Sequence, residues 1–286
     1  RCGDGGLPVM NGGCEGRKTD LKNALFPFAG SRAFAFATKS GVQKLEAGDA
    51  RLILDAGAAP PVEFGHEAHA GALAFELEDK GARMVVNCGS HRDVDPVWQG
   101  ATRHTSGHST LALSGCDAAF FMPVRSTGLD APTGPPGIAA KRMEEQERIL
   151  IDCQHGGWKD EFGLIFRRRL FMASDGSRLT GEDSLFRPIS AGVSESTETV
   201  PFDLRFHLHP DVRLAPEGEH LKISLSNGAV WLFKTNHPRK QFERSVYLAR
   251  GTVEKCWQLV LSGDADPNGD ASADSNIVRW AFVKVS

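Results

Sequence analysis

Two short runs concentrate the groups that can bind a metal, move a proton or meet an anion. The first is Gly65-His66-Glu67-Ala68-His69-Ala70-Gly71, with two imidazoles and a carboxylate inside four residues. It leads into residues 72–77, where Leu73, Phe75 and Leu77 alternate as in a half-buried strand. Such junctions suit chemistry, because the sheet fixes the backbone while the side chains stay accessible. The second run, residues 103–113, carries Arg103, His104 and His108 and enters another candidate strand at residues 109–113. If the two strands are neighbours, His69 and His108 meet and suit a divalent metal such as zinc. Asn87, ending a candidate strand over residues 83–88, is then an oxygen ligand. The bland alternative is two histidines bonded to loop backbone. Glu67 and His66 beside them are candidates for acid–base work.

Other groups carry weaker signals. In His155-Gly156-Gly157-Trp158 an imidazole and an aromatic face flank a flexible pair, which suits a sugar-binding wall; the alternative is a turn with a core tryptophan. Arg167-Arg168-Arg169 is a local cationic cluster that also reads as a strand edge with solvated arginines. Asp203, Arg205, His207 and His209 form one polar strand face, read as solvated or as the wall of a cleft. The single tyrosine, Tyr247, sits in an interior-strand pattern.

The elements that position these groups are short alternating segments broken by turn chemistry. Phe202, Leu204, Phe206 and Leu208 form the clearest strand face, and Asn227-Gly228 is a hairpin turn before residues 230–233. A further strand is expected at residues 33–38, one short helix over residues 18–25, and an irregular Pro/Gly loop over residues 130–137. This pattern predicts an all-β fold, a large two-sheet antiparallel β-sandwich spanning residues 1–286 as a single domain. With 33 basic and 36 acidic residues the formal charge is −3, which argues against nucleic acid as a partner. No apolar run approaches the roughly 20 residues of a membrane span. The six cysteines are scattered, which argues for free thiols and a reducing compartment, with a Cys2–Cys14 bridge left open.

The run His69-Ala70-Gly71-Ala72-Leu73-Ala74-Phe75-Glu76-Leu77 resembles the histidine-alanine-aspartate/glycine-x-leucine-serine-phenylalanine-glutamate signature of heparinase II/III-type polysaccharide lyases. Residues 103–113 resemble the same family's arginine to histidine-serine/asparagine-threonine-leucine segment. Matches continue in order through Asp4-Gly5-Gly6-Leu7, Asn11-Gly12-Gly13, His155-Gly156-Gly157-Trp158, Arg205-Phe206-His207-Leu208-His209-Pro210 and Glu243-Arg244-Ser245-Val246-Tyr247-Leu248, spanning nearly the whole chain.

The resemblance implies the C-terminal sandwich of a bacterial two-part enzyme whose N-terminal α/α toroid lies outside this chain. An acidic polysaccharide, heparin/heparan-like or alginate-like, would lie between the halves. A mainly structural metal, often zinc, would sit near His69, His108 and Asn87. Cleavage of a uronate chain by β-elimination needs a group that neutralises the carboxylate, a base for the C5 proton and an acid for the leaving oxygen. Here His69, Glu67 and His66 are the catalytic candidates and His155, Trp158 and Arg103 the substrate-binding ones. The chain departs from the family at two positions: Asn87 stands where an aspartate is usual, and Glu67 where a catalytic histidine is usual. Tyrosine and asparagine roles are left to the toroid, so the sandwich is not expected to act alone. One rival is a non-catalytic carbohydrate-binding or scaffold domain; a second is a cupin-like metal enzyme in which His207 or His209 joins the metal. Family members are often periplasmic, whereas the cysteines lean to the cytoplasm.

Overall fold

The computed structural model describes residues 2–28, 35–37, 39–123, 130–145, 148–194 and 196–285. Its strands, in chain order, begin with β1 (Val42–Ala47), β2 (Ala50–Asp55), β3 (Phe75–Asp79), β4 (Ala82–Val86), β5 (Leu111–Leu113), β6 (Phe120–Pro123) and β7 (Asp130–Thr133). Next come β8 (Ala139–Glu145), β9 (Arg148–Trp158), β10 (Leu164–Ala173), β11 (Arg178–Phe186) and β12 (Val200–Leu208). The chain continues with β13 (Arg213–Glu217), β14 (His220–Ser224), β15 (Val230–Thr235), β16 (Lys240–Tyr247), β17 (Glu254–Ala265) and β18 (Ile277–Lys284). Helices are short: α1 (Lys18–Leu25), α2 (Pro96–Thr102) and α3 (Lys159–Phe162).

The first sheet runs β1-β2-β3-β4-β12-β17-β16, with β5 also paired to β12; the second runs β13-β14-β15-β18-β11-β10-β9-β8. Neighbouring strands pair antiparallel, as in β12 with β17 and β10 with β11. The sheets pack face to face because each strand alternates its burial. Leu164, Phe166, Arg168, Leu170 and Met172 of β10 point inward while the residues between them are half exposed. Phe75 of the first sheet stacks on Trp280 of the second with centroids 5.6 Å apart, and Phe206 meets the same ring edge-on at 4.8 Å. Pairs of this kind are worth about 0.5–1.5 kcal/mol beyond their burial, so Trp280 anchors one sheet to the other. Gly181, its cross-strand partner, leaves the room: a Cβ there would lie 2.1 Å from the indole.

The two-sheet antiparallel sandwich is the expected architecture, and the expected helix over residues 18–25 is α1. Three expectations are corrected. Residues 130–133 are not loop but β7, paired with β6 in a two-stranded ribbon, whose edges tolerate Pro132. Arg168 is not solvated: it is fully buried on the inward face of β10. His207 and His209 are also buried, so the outer face of β12 is not simply a wetted surface. Half of the strand expected over residues 33–38 lies outside the described residues; in the other half Phe36 makes an isolated bridge to Gln43. Sequence reading passed over α2, although Asp95 caps it by accepting from Val97 N at 2.8 Å and Pro96 opens it.

Candidate functional site

The loop bearing His66, Glu67 and His69 enters β3, and the loop bearing His108 enters β5. They are tied together by backbone. Ala70 N donates to Arg103 O at 2.8 Å, and Thr105 Oγ1 donates to Ala70 O at 2.8 Å. Thr110 Oγ1 donates to Ala72 O at 3.1 Å. The N-terminal segment closes the other side, where Asn11 Oδ1 accepts from His69 N at 2.9 Å.

Beneath both loops lies Arg168. Its Nη1 donates to Leu73 O at 2.6 Å and to Ser109 O at 2.9 Å. The rest of the guanidinium makes a bidentate pair with fully buried Asp183, to which Trp280 also donates at 2.8 Å. Leu73 holds a φ of 57°, which an L residue rarely adopts, and the clamp on its carbonyl helps hold it there. One side chain of the second sheet thereby fixes the residues just after both histidine loops.

His69 Nδ1 lies 3.2 Å from His108 Nε2, and both rings are buried. His108 Nδ1 donates to His104 O at 2.9 Å, which leaves the lone pair on Nε2. His69 Nδ1 donates to that lone pair in one tautomer and turns a second lone pair toward it in the other. Burial holds His69 neutral far below the usual histidine range and pushes His108 down to about 4, so both rings are neutral at neutral pH. In the second tautomer the two nitrogens can share a cation. Two imidazoles on one tetrahedral zinc stand about 3.3–3.4 Å apart, and an outer N–H given to a carbonyl is the usual support for such a ligand. The pair fits two places on a metal.

Asn87 does not complete the site from its present contacts. Its Nδ2 donates to Val9 O at 3.0 Å and its Oδ1 accepts from Ser109 N at 2.9 Å, which makes it a pin between segments. Among the described residues, the one group of three His, Cys, Asp or Glu side chains spaced for a metal is Cys2, Asp4 and Glu78, away from the histidines. His207 is engaged by Ser245 Oγ at 2.7 Å and Ser106 O at 3.0 Å. His209 faces Glu15 and Arg250 at 3.4 and 3.1 Å. Neither joins His69 and His108, which counts against the cupin-like reading. All six cysteines are free thiols.

Above His69 opens a cleft of about 760 Å³ that gathers His66, Glu67, His69 and Arg103, four of the residues singled out by sequence. It also gathers Arg17, His91 and Arg92, which sequence reading missed because they come from separate loops with no motif of their own. Three guanidiniums and one carboxylate line it; Asp20 pairs with Arg17 at 2.8 Å and Asp93 with Arg92 at 3.8 Å, exposed pairs with which an anion can compete. Arg103 is partly committed: Nε donates to Ala68 O, Nη2 to Asp130 O, and the guanidinium lies over Phe121. Its remaining donors are what the cleft can use.

His155 and Trp158 do not belong to this cleft. Both are buried in the core against Phe166, with His155 pushed down to about 3 by burial, so a sugar cannot reach them. Tyr247 is buried as well and donates to Glu15 Oε1 at 2.8 Å, which leaves the cleft without a tyrosine of this chain.

The sequence profile described as "Heparinase II/III-like, C-terminal" matches residues 29–281. The chain belongs to this family. A curated relative, FtsZ-localized protein C of Caulobacter vibrioides, is 28% identical over 99% of this chain and 49% of its own length. Among solved structures, heparan sulfate lyase HepC of Pedobacter heparinus superposes with a TM-score of 0.69 at 14% identity, over 99% of this chain and 44% of that one. A heparinase III superposes with a TM-score of 0.68 at 13% identity and the same coverage. The chain spans about half the length of the proteins it matches, and at these identities the structures establish a shared fold.

Proposed function

We propose that this chain is the sandwich half of a lyase that cleaves a uronate-containing acidic polysaccharide, heparan-like or alginate-like, by β-elimination. The observation that carries this reading is the cleft that joins Glu67, His66 and His69 to Arg17, Arg92 and Arg103. The arginines suit the substrate carboxylate and sulfate groups. Glu67, at the position the family usually gives to histidine, is the acid–base candidate of this half, with His66 and His69 beside it. The tyrosine and asparagine partners come from an N-terminal α/α toroid facing the cleft. A divalent metal, zinc by its donors, is held by His69 and His108 and supplies a cross-link between their loops.

A second reading is a non-catalytic carbohydrate-binding or scaffold domain. It is favoured by Glu67 standing where the family usually has a catalytic histidine and by the burial of Tyr247, which leaves the cleft without a tyrosine of this chain. Mass spectrometry of polysaccharide incubated with the full-length protein separates the two. Elimination yields fragments one water lighter at the new end than hydrolysis would, whereas a binder leaves the polymer intact.

A further inference from the structure

At one end of the sandwich the two sheets do not close on each other. β16 ends the first sheet and β13 the second, and between them opens a pocket of about 410 Å³. The second sheet lines it with Leu214, Leu221 and Phe233, the first with Phe242, Trp257 and Leu259. Cross-strand register puts all six on inner faces. Phe242 is opposite Leu259, which is itself opposite the core residue Phe206, and Trp257 is opposite Leu208. On the facing sheet Leu221 is opposite Phe233, and Leu214 is opposite the core residue Ile223. The pocket is therefore an unfilled end of the core, with a volume inside the range of about 300–1,000 Å³ typical of small-molecule sites. Phe242 is 48% exposed there, apolar surface that neither sheet covers.

The mouth is cationic. Lys240 and Arg244 flank Phe242 two residues to either side, so all three share the inner face of β16. Lys240 Nζ donates to Glu219 O at 2.8 Å in the β13–β14 turn, which carries its methylene stem from one sheet to the other and leaves two of its three donors. Arg244 lies over the Trp257 ring, 3.8 Å from its centroid, which uses the face of the guanidinium and leaves its in-plane donors. Among the described residues neither cation has a carboxylate partner. The one carboxylate among the described lining residues, Glu219, belongs to an exposed turn residue.

We infer that this pocket binds a long-chain carboxylate, with its apolar body between the sheets and its charged end at Lys240. A sugar would leave six apolar side chains without matching contacts, and a neutral apolar body would leave the ammonium unused. Sheets about 10 Å apart, with their side chains between them, leave a slot for an acyl chain and no room for a helix about 10–12 Å across. The site shares no residue with the cleft above His69 and stands whether or not that cleft is catalytic.

The test is calorimetric titration of the 286-residue chain with dodecanoate below its micelle concentration, and with dodecanol as the uncharged control. Wild type is compared with Lys240→Ala and Phe242→Glu, both at exposed positions and each checked for fold by circular dichroism. The inference predicts one saturable site for dodecanoate in the wild type, about tenfold weaker in Lys240→Ala, the size of one charge-assisted contact. It predicts dodecanol about tenfold weaker than dodecanoate, and no measurable binding in Phe242→Glu, which sets a like charge in the mouth. Absence of saturable dodecanoate binding, equal affinity for dodecanol, or undiminished binding by Lys240→Ala overturns it. So does a wild-type dimer in sedimentation that Phe242→Glu dissociates, because a second copy of the chain then fills the pocket.

Discussion

His108 spends its Nδ1–H on a backbone carbonyl and turns its Nε2 lone pair toward His69 Nδ1 at 3.2 Å. This arrangement predicts near-stoichiometric zinc in the purified chain by elemental analysis, falling to trace levels in His108→Ala; a metal-free wild type contradicts it. His155 makes a prediction of a different kind. Its folded pKa is pushed down to about 3, below the ordinary value of 6.5, so its contribution to stability is complete above about pH 6.5. That contribution is lost as pH falls toward 3, with a slope of up to about 1.4 kcal/mol per pH unit. Urea midpoints across this window should fall less steeply for His155→Leu than for wild type, and parallel curves would refute the assignment. At this scale the sequence was legible where spacing was local: His66, Glu67 and His69 share one loop. At Trp158 the core alternative holds and the sugar-wall reading of His155 and Trp158 does not; Gly156-Gly157 looks like a turn, whereas β9 runs through it into the core.

Among the elements, β10 illustrates what residue-type periodicity hides. Its burial alternates strictly, yet Leu164–Ala173 does not alternate by residue type, and the alternation puts the middle of three arginines on the apolar side. Asp183 of β11, together with the Leu73 and Ser109 carbonyls, makes this tolerable. Removing one member leaves a buried charge alone, so Arg168→Met should cost about 3–5 kcal/mol in urea unfolding. The double variant Arg168→Met/Asp183→Leu should recover much of that loss, since an apolar pair needs no desolvation compensation. Additive losses would show that the clamp on Leu73 and Ser109, rather than charge pairing, dominates. The ribbon β6–β7 was illegible because proline and glycine signal irregular backbone, and pairing across a ribbon depends on a partner strand that local sequence does not identify.

For the whole molecule, the charge of −3 conceals a cleft beside α2 where three arginines gather. The sandwich itself was readable, since alternating segments in such number have few other ways to bury their apolar faces. What the sequence could not convey is which loops meet: Arg17, Arg92 and Arg103 become neighbours only once the N-terminal segment and α2 are packed beside the His66–His69 loop. The central claim is that these groups serve the elimination of a uronate chain. It is tested most directly by following ultraviolet absorbance of the unsaturated uronate formed by the full-length protein from heparan sulfate or alginate, alongside Glu67→Gln and Arg103→Ala. The account predicts absorbance growth by the wild type, at least a hundredfold slower turnover for Glu67→Gln as expected for loss of an acid–base group, and a raised KM for Arg103→Ala. No absorbance change with either polymer, despite tight binding of one of them, would contradict it and establish the chain as a binding module.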